Sequence, residues 1–330
     1  MKVKVAINGF GRIGRTVARI LSKDPSVEVV AINDIHEANV LAHYLKYDST
    51  HGKFNDQLYL ENDQLTFGVQ KSKVFKEPDP SNLPWTSLGV DFVLECTGSN
   101  KTITKSLKHI DAGAKRVILS APPMDRSVPT VVLGVNDHLL NKSELIVSNA
   151  SCTTNNAAPM IQLLDELCEI DSCYITTVHS YTGDQKIQDT PHSDWRRGRG
   201  AAQSIVPTTT GAAKALTLIF PELSDVIGGC GIRVPVPDGS LTDITCIVKN
   251  PKSVSEINKA FRDASLNRYR GILEYTEDPI VSADVLGNSH SCLFDSLLTS
   301  VINHMVKVVG WYDNEVGYSH RMIDLLKRLS

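Results

Sequence analysis

The chain has 330 residues, 42% of them hydrophobic, and a formal net charge of −3. That length suits about two domains with substantial cores, and the slight acidity argues against a general nucleic-acid binder. Seven cysteines without metal-type pairing, a core strand near the amino terminus and no apolar run approaching the roughly 20 residues that cross a bilayer lead us to expect no disulfide framework, signal peptide or membrane insertion, and a reducing cytoplasm.

Lys2 to Asn8 reads as a strand that runs into Gly9-Phe10-Gly11-Arg12-Ile13-Gly14, a G-x-G-x-x-G sequence, and from Arg12 to Leu21 the spacing turns helical. A second strand, Val27–Asn33, ends at Asp34, twenty residues beyond Gly14. Gly9, Gly11 and Gly14 let backbone approach a pyrophosphate at the helix N-terminus, while a carboxylate at the second strand's end accepts hydrogen bonds from ribose hydroxyls. Strand, helix, strand and acid in one register predict a dinucleotide site rather than a structural glycine turn. Asp34 repels a ribose 2′-phosphate, and Asp34-Ile35-His36-Glu37 holds no Arg or Lys to offset it, so NAD is expected over NADP.

Glu77 to Trp85 carries three prolines and reads as an irregular excursion. Val90–Cys96 and Arg116–Ser120 are further apolar strands, and the alternation of strands with helices predicts a parallel doubly wound sheet. Thr97, Gly98 and Ser120 then fall in the crevice at the strands' carboxyl ends, or make ordinary turns.

Glu144–Val147 reads as a short buried strand, followed by Ser148-Asn149-Ala150-Ser151-Cys152-Thr153-Thr154-Asn155, where small polar residues crowd around a thiol. Apolar spacing at Met160, Leu163, Leu164 and Leu167 marks Ser151–Leu167 as helical, which sets Cys152 near a helix N-terminus and favours thiolate below the usual pKa of about 8.5. Pro159 is expected to kink this helix or delay its start. The alternative is an inert buried cysteine. His179 ends the β-branched run Tyr174–His179, ahead of the loop Ser180–Asp184. From a strand end an imidazole can take the thiol proton and hold the thiolate; a structural histidine is the alternative.

Thr208-Thr209-Thr210-Gly211 precedes a helix that Pro221 ends, and its hydroxyls suit a phosphate or simply cap the helix. Arg196, Arg197, Arg199 and, separately, Arg233 offer guanidinium forks for phosphate oxygens; surface ion pairs, a subunit interface or weak RNA affinity are the alternatives. Thr242–Val248 and Met305–Tyr312 alternate like antiparallel strands. Ser319–Leu329 is helical, with a stripe of Met322, Ile323, Leu325, Leu326 and Leu329 that needs a surface.

Four segments, Ala6–Arg15, Ser148–Asn155, Thr208–Ala215 and Trp311–Glu315, occur in the order of one family, and over essentially its whole length the chain resembles the phosphorylating glyceraldehyde-3-phosphate dehydrogenases. With the residue reading, this implies an α/β fold. Residues 1–150 form an N-terminal doubly wound parallel (Rossmann) domain for NAD, a C-terminal helix of about 315–330 packs back on it, and 151–314 form an α+β catalytic and substrate-binding domain with a mainly antiparallel sheet. The resemblance implies Cys152 as nucleophile and His179 as acid and base, without a metal. Arg12, Ile13, Asp34, Ser120 and Asn314 join the glycines and Thr97 at NAD. Ser151, Thr153, Arg197, Thr210 and Gly211 would lie near inorganic phosphate, and Thr182 and Arg233 near the substrate phosphate. A cytoplasmic homotetramer is implied, in which the loop Asp184–Gly200 approaches a neighbour's cofactor.

The activity so implied is glycolytic, NAD-dependent oxidative phosphorylation of D-glyceraldehyde 3-phosphate to 1,3-bisphosphoglycerate through a hemithioacetal and thioester on Cys152. Erythrose-4-phosphate dehydrogenases share this logic but tend to hydrolyse the acyl-enzyme; Thr182 and the intact Thr210-Gly211 favour the glyceraldehyde reading. A nucleic-acid or surface-binding protein that has lost catalysis is a third reading, opposed by the full set of catalytic residue types, which leaves nucleic-acid binding at most secondary. Asn156 stands where many relatives have a second cysteine, removing a local disulfide route. Val316 and Thr190, beside Pro191, also depart from the common pattern.

Overall fold

A computed structural model describes residues 2–141 and 143–330. The chain divides into two compact units: one comprises the chain as far as Val131, Leu139–Ala150 and Ser319–Ser330, the other Val132–His138 and Ser151–Tyr318.

The first unit is built on Val3–Asn8, whose Val5, Ala6 and Ile7 are wholly buried, as befits a central strand covered on both faces. Across the sheet the order is Ile146–Ser148, Arg116–Leu119, Phe92–Glu95, Val3–Asn8, Val27–Asn33, Gln70–Phe75, Gln64–Phe67 and Leu58–Glu61. The first six run parallel. Winding proceeds outward in both directions from Val3–Asn8, so the topological switch falls beside it, where such sheets hold their ligands. The expected parallel doubly wound sheet is therefore present. Sequence reading omitted the antiparallel edge, Leu58–Glu61 and Gln64–Phe67, joined through Asn62 and Asp63 at φ of 48° and 57°. Two consecutive left-handed residues give the twist that a tight hairpin requires. The stripe Met322, Ile323, Leu325, Leu326 and Leu329 of the helix Val316–Leu329 is buried, and within this unit Lys327 pairs with Asp24 at 2.6 Å.

In the second unit the order is Val206–Thr208, Ile227–Val234, Ile170–Ser180, Ser240–Val248, Met305–Tyr312, Cys292–Asp295 and Leu273–Thr276, with Ser300–Ile302 also on Met305–Tyr312. Two pairings are parallel, Ile170–Ser180 with Ile227–Val234 and Leu273–Thr276 with Cys292–Asp295; the others are antiparallel, as expected. Side chains alternate faces: Ile175, Ile244, Cys246, Val306 and Val308 are buried, while Tyr174 and Ile247 are exposed. The helix Cys152–Cys168 packs closely on this sheet, because a Cβ on Gly310 would lie 2.8 Å from the Met160 sulfur.

Pro159 neither delays nor divides that helix, which starts at Cys152 and runs to Cys168 with the proline inside. Residues Thr153 to Ile161 are all buried, and their packing outweighs the roughly 3 kcal/mol that an interior proline costs.

The glycine loop separates folding from binding. A Cβ on Gly14 would sit 2.1 Å from the Gly9 carbonyl oxygen, whereas one on Gly11 would meet nothing within 4 Å. Gly14→Ala should thus destabilise the protein by about 2–4 kcal/mol or prevent folding, while Gly11→Ala shifts the ligand-free melting temperature by only a few degrees. Equal melting temperatures for the two variants would contradict this account of the loop.

Candidate active site

The thiol is placed by an abrupt change of backbone direction. After the strand Ile146–Ser148, buried Ala150 adopts a left-handed conformation at φ 56°, with its N–H donating to the Ser148 hydroxyl at 3.0 Å. Such strain in a non-glycine residue persists only where the surroundings over-determine it. Ser151 then caps the helix, its hydroxyl accepting from the Thr154 N–H at 3.1 Å, and Cys152 is the first helical residue. Its sulfur lies 3.4 Å from Nε2 of buried His179, near the end of the strand Ile170–Ser180.

Arg233 is the register partner of His179 on the adjacent parallel strand. Nδ1 of His179 lies 2.7 Å from the Ser180 carbonyl and 2.6 Å from the Arg233 guanidinium. One ring nitrogen cannot serve both: it donates to the carbonyl as Nδ1–H, or accepts from arginine without a proton. Only the first form of the neutral ring turns a free lone pair at Nε2 toward Cys152. Tyr312 completes the enclosure, edge-on to the imidazole at 6.0 Å, with its hydroxyl 2.9 Å from Thr153 Oγ1 and 3.0 Å from Thr177 Oγ1.

The electrostatics correct one expectation. Although Cys152 is not sealed from solvent, dense packing pushes its thiol above the usual range; the Arg233 charge and the Thr153 N–H oppose this. Burial, then the Arg233 charge, drive His179 down to about 3, against the bond to the Ser180 carbonyl. The helix terminus therefore does not by itself make a thiolate here, and the ligand-free environment favours a neutral thiol beside a neutral ring.

The expected anion-binding residues of this unit fall into linked groups. Arg197 Nε donates to Thr208 Oγ1 at 3.0 Å, and its remaining nitrogens to Asp184 at 2.9 Å and the Thr209 carbonyl at 3.2 Å. Thr208 in turn donates to Asp194 at 2.7 Å, so two carboxylates tether the arginine to the threonine run. Thr210 caps the helix Gly211–Ile219 by accepting from the Ala212 N–H, and a Cβ on Gly211 would meet nothing within 4 Å, which leaves this terminus open. The Arg197 charge is felt at Arg233, and that of Arg233 at Cys152. Thr182 N–H bonds Gln185 at 3.3 Å, and Ser151 and Thr153 are engaged in capping and with Tyr312. Asn314 accepts from two buried hydroxyls, those of Ser180 and Ser240.

The dinucleotide fingerprint is assembled within the first unit. Gly9, at φ 90°, passes so close to the next loop that a Cβ would lie 2.6 Å from the Thr97 nitrogen. Gly11 precedes the helix Arg12–Leu21 on an open side, leaving room for a phosphate at the terminus. Arg12 is paired with Asp48, and Ile13 follows it in the first turn. Burial raises the Asp34 carboxyl, but hydrogen bonds from the Phe10 N–H at 2.7 Å and from His36 and Ile35 outweigh it and hold it ionised below the usual range. Thr97 and Ser120 follow the ends of neighbouring strands.

Sequence reading missed Glu95, which supports this crevice from below. Its buried carboxylate accepts from the Thr97 N–H at 2.8 Å, the Thr97 hydroxyl, Asn8 at 2.6 Å, Asn100 at 3.1 Å and His109 at 3.1 Å. Trp85 donates to His109 Nδ1 at 3.1 Å, which fixes the proton of that ring on Nε2, facing Glu95. An acid ending the apolar run Phe92–Leu94 was the one available signal.

A glycine-loop dinucleotide fold and a cysteine–histidine pair on the same chain define a nicotinamide-dependent oxidoreductase. Residues 3–103 match the family model for the glyceraldehyde 3-phosphate dehydrogenase NAD binding domain, and 151–314 that for the C-terminal domain. The chain belongs to the glyceraldehyde-3-phosphate dehydrogenase family. It is 50% identical over 333 residues to the glyceraldehyde-3-phosphate dehydrogenase of Mycobacterium avium, covering 99% of this chain and 98% of that one. The enzyme of Geobacillus stearothermophilus is 49% identical over 327 residues, covering 98% and 97%, and that of Thermotoga maritima 51% over 330 residues, covering 99% and 98%. Among the described residues, no helix is long and apolar enough to cross a membrane.

The charge on Arg233 favours thiolate at Cys152 directly, but it also opposes the proton on His179 that would stabilise the same thiolate. Compared in a His179→Asn background, which removes that second effect, Arg233→Leu should move the midpoint for alkylation of Cys152 by iodoacetamide, followed against pH without ligands, upward by as much as about one unit, slowing alkylation up to about tenfold at a fixed pH below it. A midpoint that stays or falls would show that the arginine does not act on the sulfur.

Proposed function

We propose that this protein oxidises D-glyceraldehyde 3-phosphate to the acyl phosphate, with NAD and inorganic phosphate as co-substrates, in a cytoplasmic homotetramer. The observation that carries this reading is the 3.4 Å approach of the Cys152 sulfur to His179 Nε2, with Arg233 beside the same ring. NAD suits the residues present: Gly11 leaves an open helix terminus for the pyrophosphate, and Asp34 offers an ionised carboxylate to the ribose. Gly9, Gly14, Arg12, Ile13, Thr97 and Ser120 would complete its cradle, with Asn314 at the nicotinamide. When bound, the cofactor supplies the hydride acceptor.

Cys152 attacks the aldehyde carbon, and His179 takes the proton that this releases. The hemithioacetal oxygen is stabilised by His179 and by the backbone N–H of Cys152 at the helix start. Here the arginine contact matters. A substrate phosphate held by Arg233 and Thr182 draws the guanidinium from Nδ1, leaving that nitrogen to donate to the Ser180 carbonyl and Nε2 free to act as base. Oxidation leaves a thioester, whose carbonyl stays activated because sulfur donates poorly into it. Inorganic phosphate, held by Ser151, Thr153, Arg197, Thr210 and Gly211, then displaces the sulfur and keeps as acyl phosphate the energy that hydrolysis would lose.

Following reduced-nucleotide absorbance with glyceraldehyde 3-phosphate or erythrose 4-phosphate, with and without phosphate, tests substrate and acyl fate together. Cys152→Ala should abolish turnover while NAD still binds, and His179→Asn should slow it by roughly 10²–10⁴-fold. Full activity in Cys152→Ala, or phosphate-independent turnover of the four-carbon aldehyde alone, would refute the assignment.

A further inference from the structure

Asn314 is held by two side chains to which neither the sequence motifs nor the mechanism above gives a role. Its Oδ1 accepts from Ser180 Oγ at 2.8 Å and from Ser240 Oγ at 2.7 Å. Ser180 is 0% exposed and Ser240 1%, so water does not compete for these bonds. The Ser180 N–H already occupies Ser240 Oγ at 3.1 Å, and among the described residues the Ser240 hydroxyl has one further hydrogen-bond acceptor, Ser180 Oγ at 3.5 Å. Turning the amide over would therefore strand buried hydroxyl protons, at a cost that an unsatisfied buried donor makes large. The hydroxyls dictate which way the amide faces.

An amide so fixed presents its NH₂ away from the serines, and an NH₂ group donates only. Its partner must be an acceptor. Ser180 has a second duty, because its carbonyl lies 2.7 Å from Nδ1 of His179. One residue thus orients the base through its carbonyl and the amide through its hydroxyl. Resting on the NAD reading, we propose that Ser180 and Ser240 are positioning residues that lock Asn314 as a donor, so that the site selects the carbonyl oxygen of the nicotinamide carboxamide and disregards its NH₂.

This makes a specificity prediction that a merely structural role does not. The 3-acetylpyridine analogue of NAD keeps the ring carbonyl but lacks the amide NH₂. The wild-type contact uses the carbonyl alone, so it survives in the analogue. In Ser180→Ala/Ser240→Ala the Asn314 amide is free to turn its oxygen outward; the carboxamide of NAD can answer by rotating its NH₂ into place, and the acetyl group cannot. The ratio of kcat/KM for NAD to that for the analogue, with glyceraldehyde 3-phosphate and phosphate, should rise about twofold over wild type, because the analogue can use only the share of the freed amide that keeps its NH₂ outward. Each single variant retains one donor and should show a smaller rise. These singles also serve if the double variant fails to fold, as judged by its melting curve. An unchanged ratio, with both cofactors affected alike, would overturn the proposal. Wild-type protein inactive with both cofactors would instead overturn the functional reading beneath it.

Discussion

The structure of the catalytic unit depends on bringing a sulfur at the start of one helix against an imidazole near the end of one strand. Neither position is tolerant. Cys152 follows a left-handed, buried Ala150 and a serine cap, so the helix start is fixed to the residue. His179 sits between strands on both sides, with Arg233 as its parallel neighbour. Because each group is anchored in regular structure rather than in a mobile loop, the 3.4 Å separation is a property of the sheet and of the helix packed on it. Gly310, which admits Met160, is part of that geometry although it never approaches the sulfur.

In the first unit the corresponding constraint is a buried charge. Glu95 is 2% exposed, and burial alone would neutralise it; donors from His109, Thr97 and Asn8 hold it ionised. Those partners belong to the chain just before Gly9, to the loop after Phe92–Glu95 and to the helix Ile103–Asp111. A charged acceptor forms roughly twice as strong a bond as a neutral one, so a single carboxylate ties the loop that carries Thr97 to the body beneath it. Gly9 exploits that tie by lying directly against Thr97.

Much of this was legible in the chain itself. The glycine fingerprint carries its own geometry, since each glycine answers a different steric demand, and the acid ending the second strand follows at a fixed distance. The helix Gly211–Ile219 and its threonine cap were equally readable, because capping is local chemistry. What escaped was set by partners remote in sequence. Pro159 is a helix breaker locally, yet the packing around it keeps the helix intact. The antiparallel edge of the first sheet is short and amphipathic, and its Asn-Asp turn lacks the glycine that usually announces a hairpin. The thiol illustrates the limit most clearly: a helix terminus argues for thiolate, but desolvation, which no spacing reveals, argues the other way with greater force.

That last conflict explains why the site needs its cations. In a polar, wet position a cysteine at a helix start ionises with little help, but it also reacts with any electrophile. In a packed position both members of the pair revert toward neutrality, and ionisation must be restored by a charge placed nearby. Arg233 is that charge, and its influence is divided: it favours thiolate at Cys152 while opposing a proton on His179. A fixed cation is therefore a poor activator of a thiol–imidazole pair. On the mechanism proposed above, a cation that an arriving anion draws off the ring serves better, since the imidazole would then recover its basicity when a phosphate-bearing aldehyde is present to be attacked. The 2.6 Å contact to Nδ1 places the guanidinium where such an exchange has its full effect, next to the atom whose protonation decides what Nε2 can do.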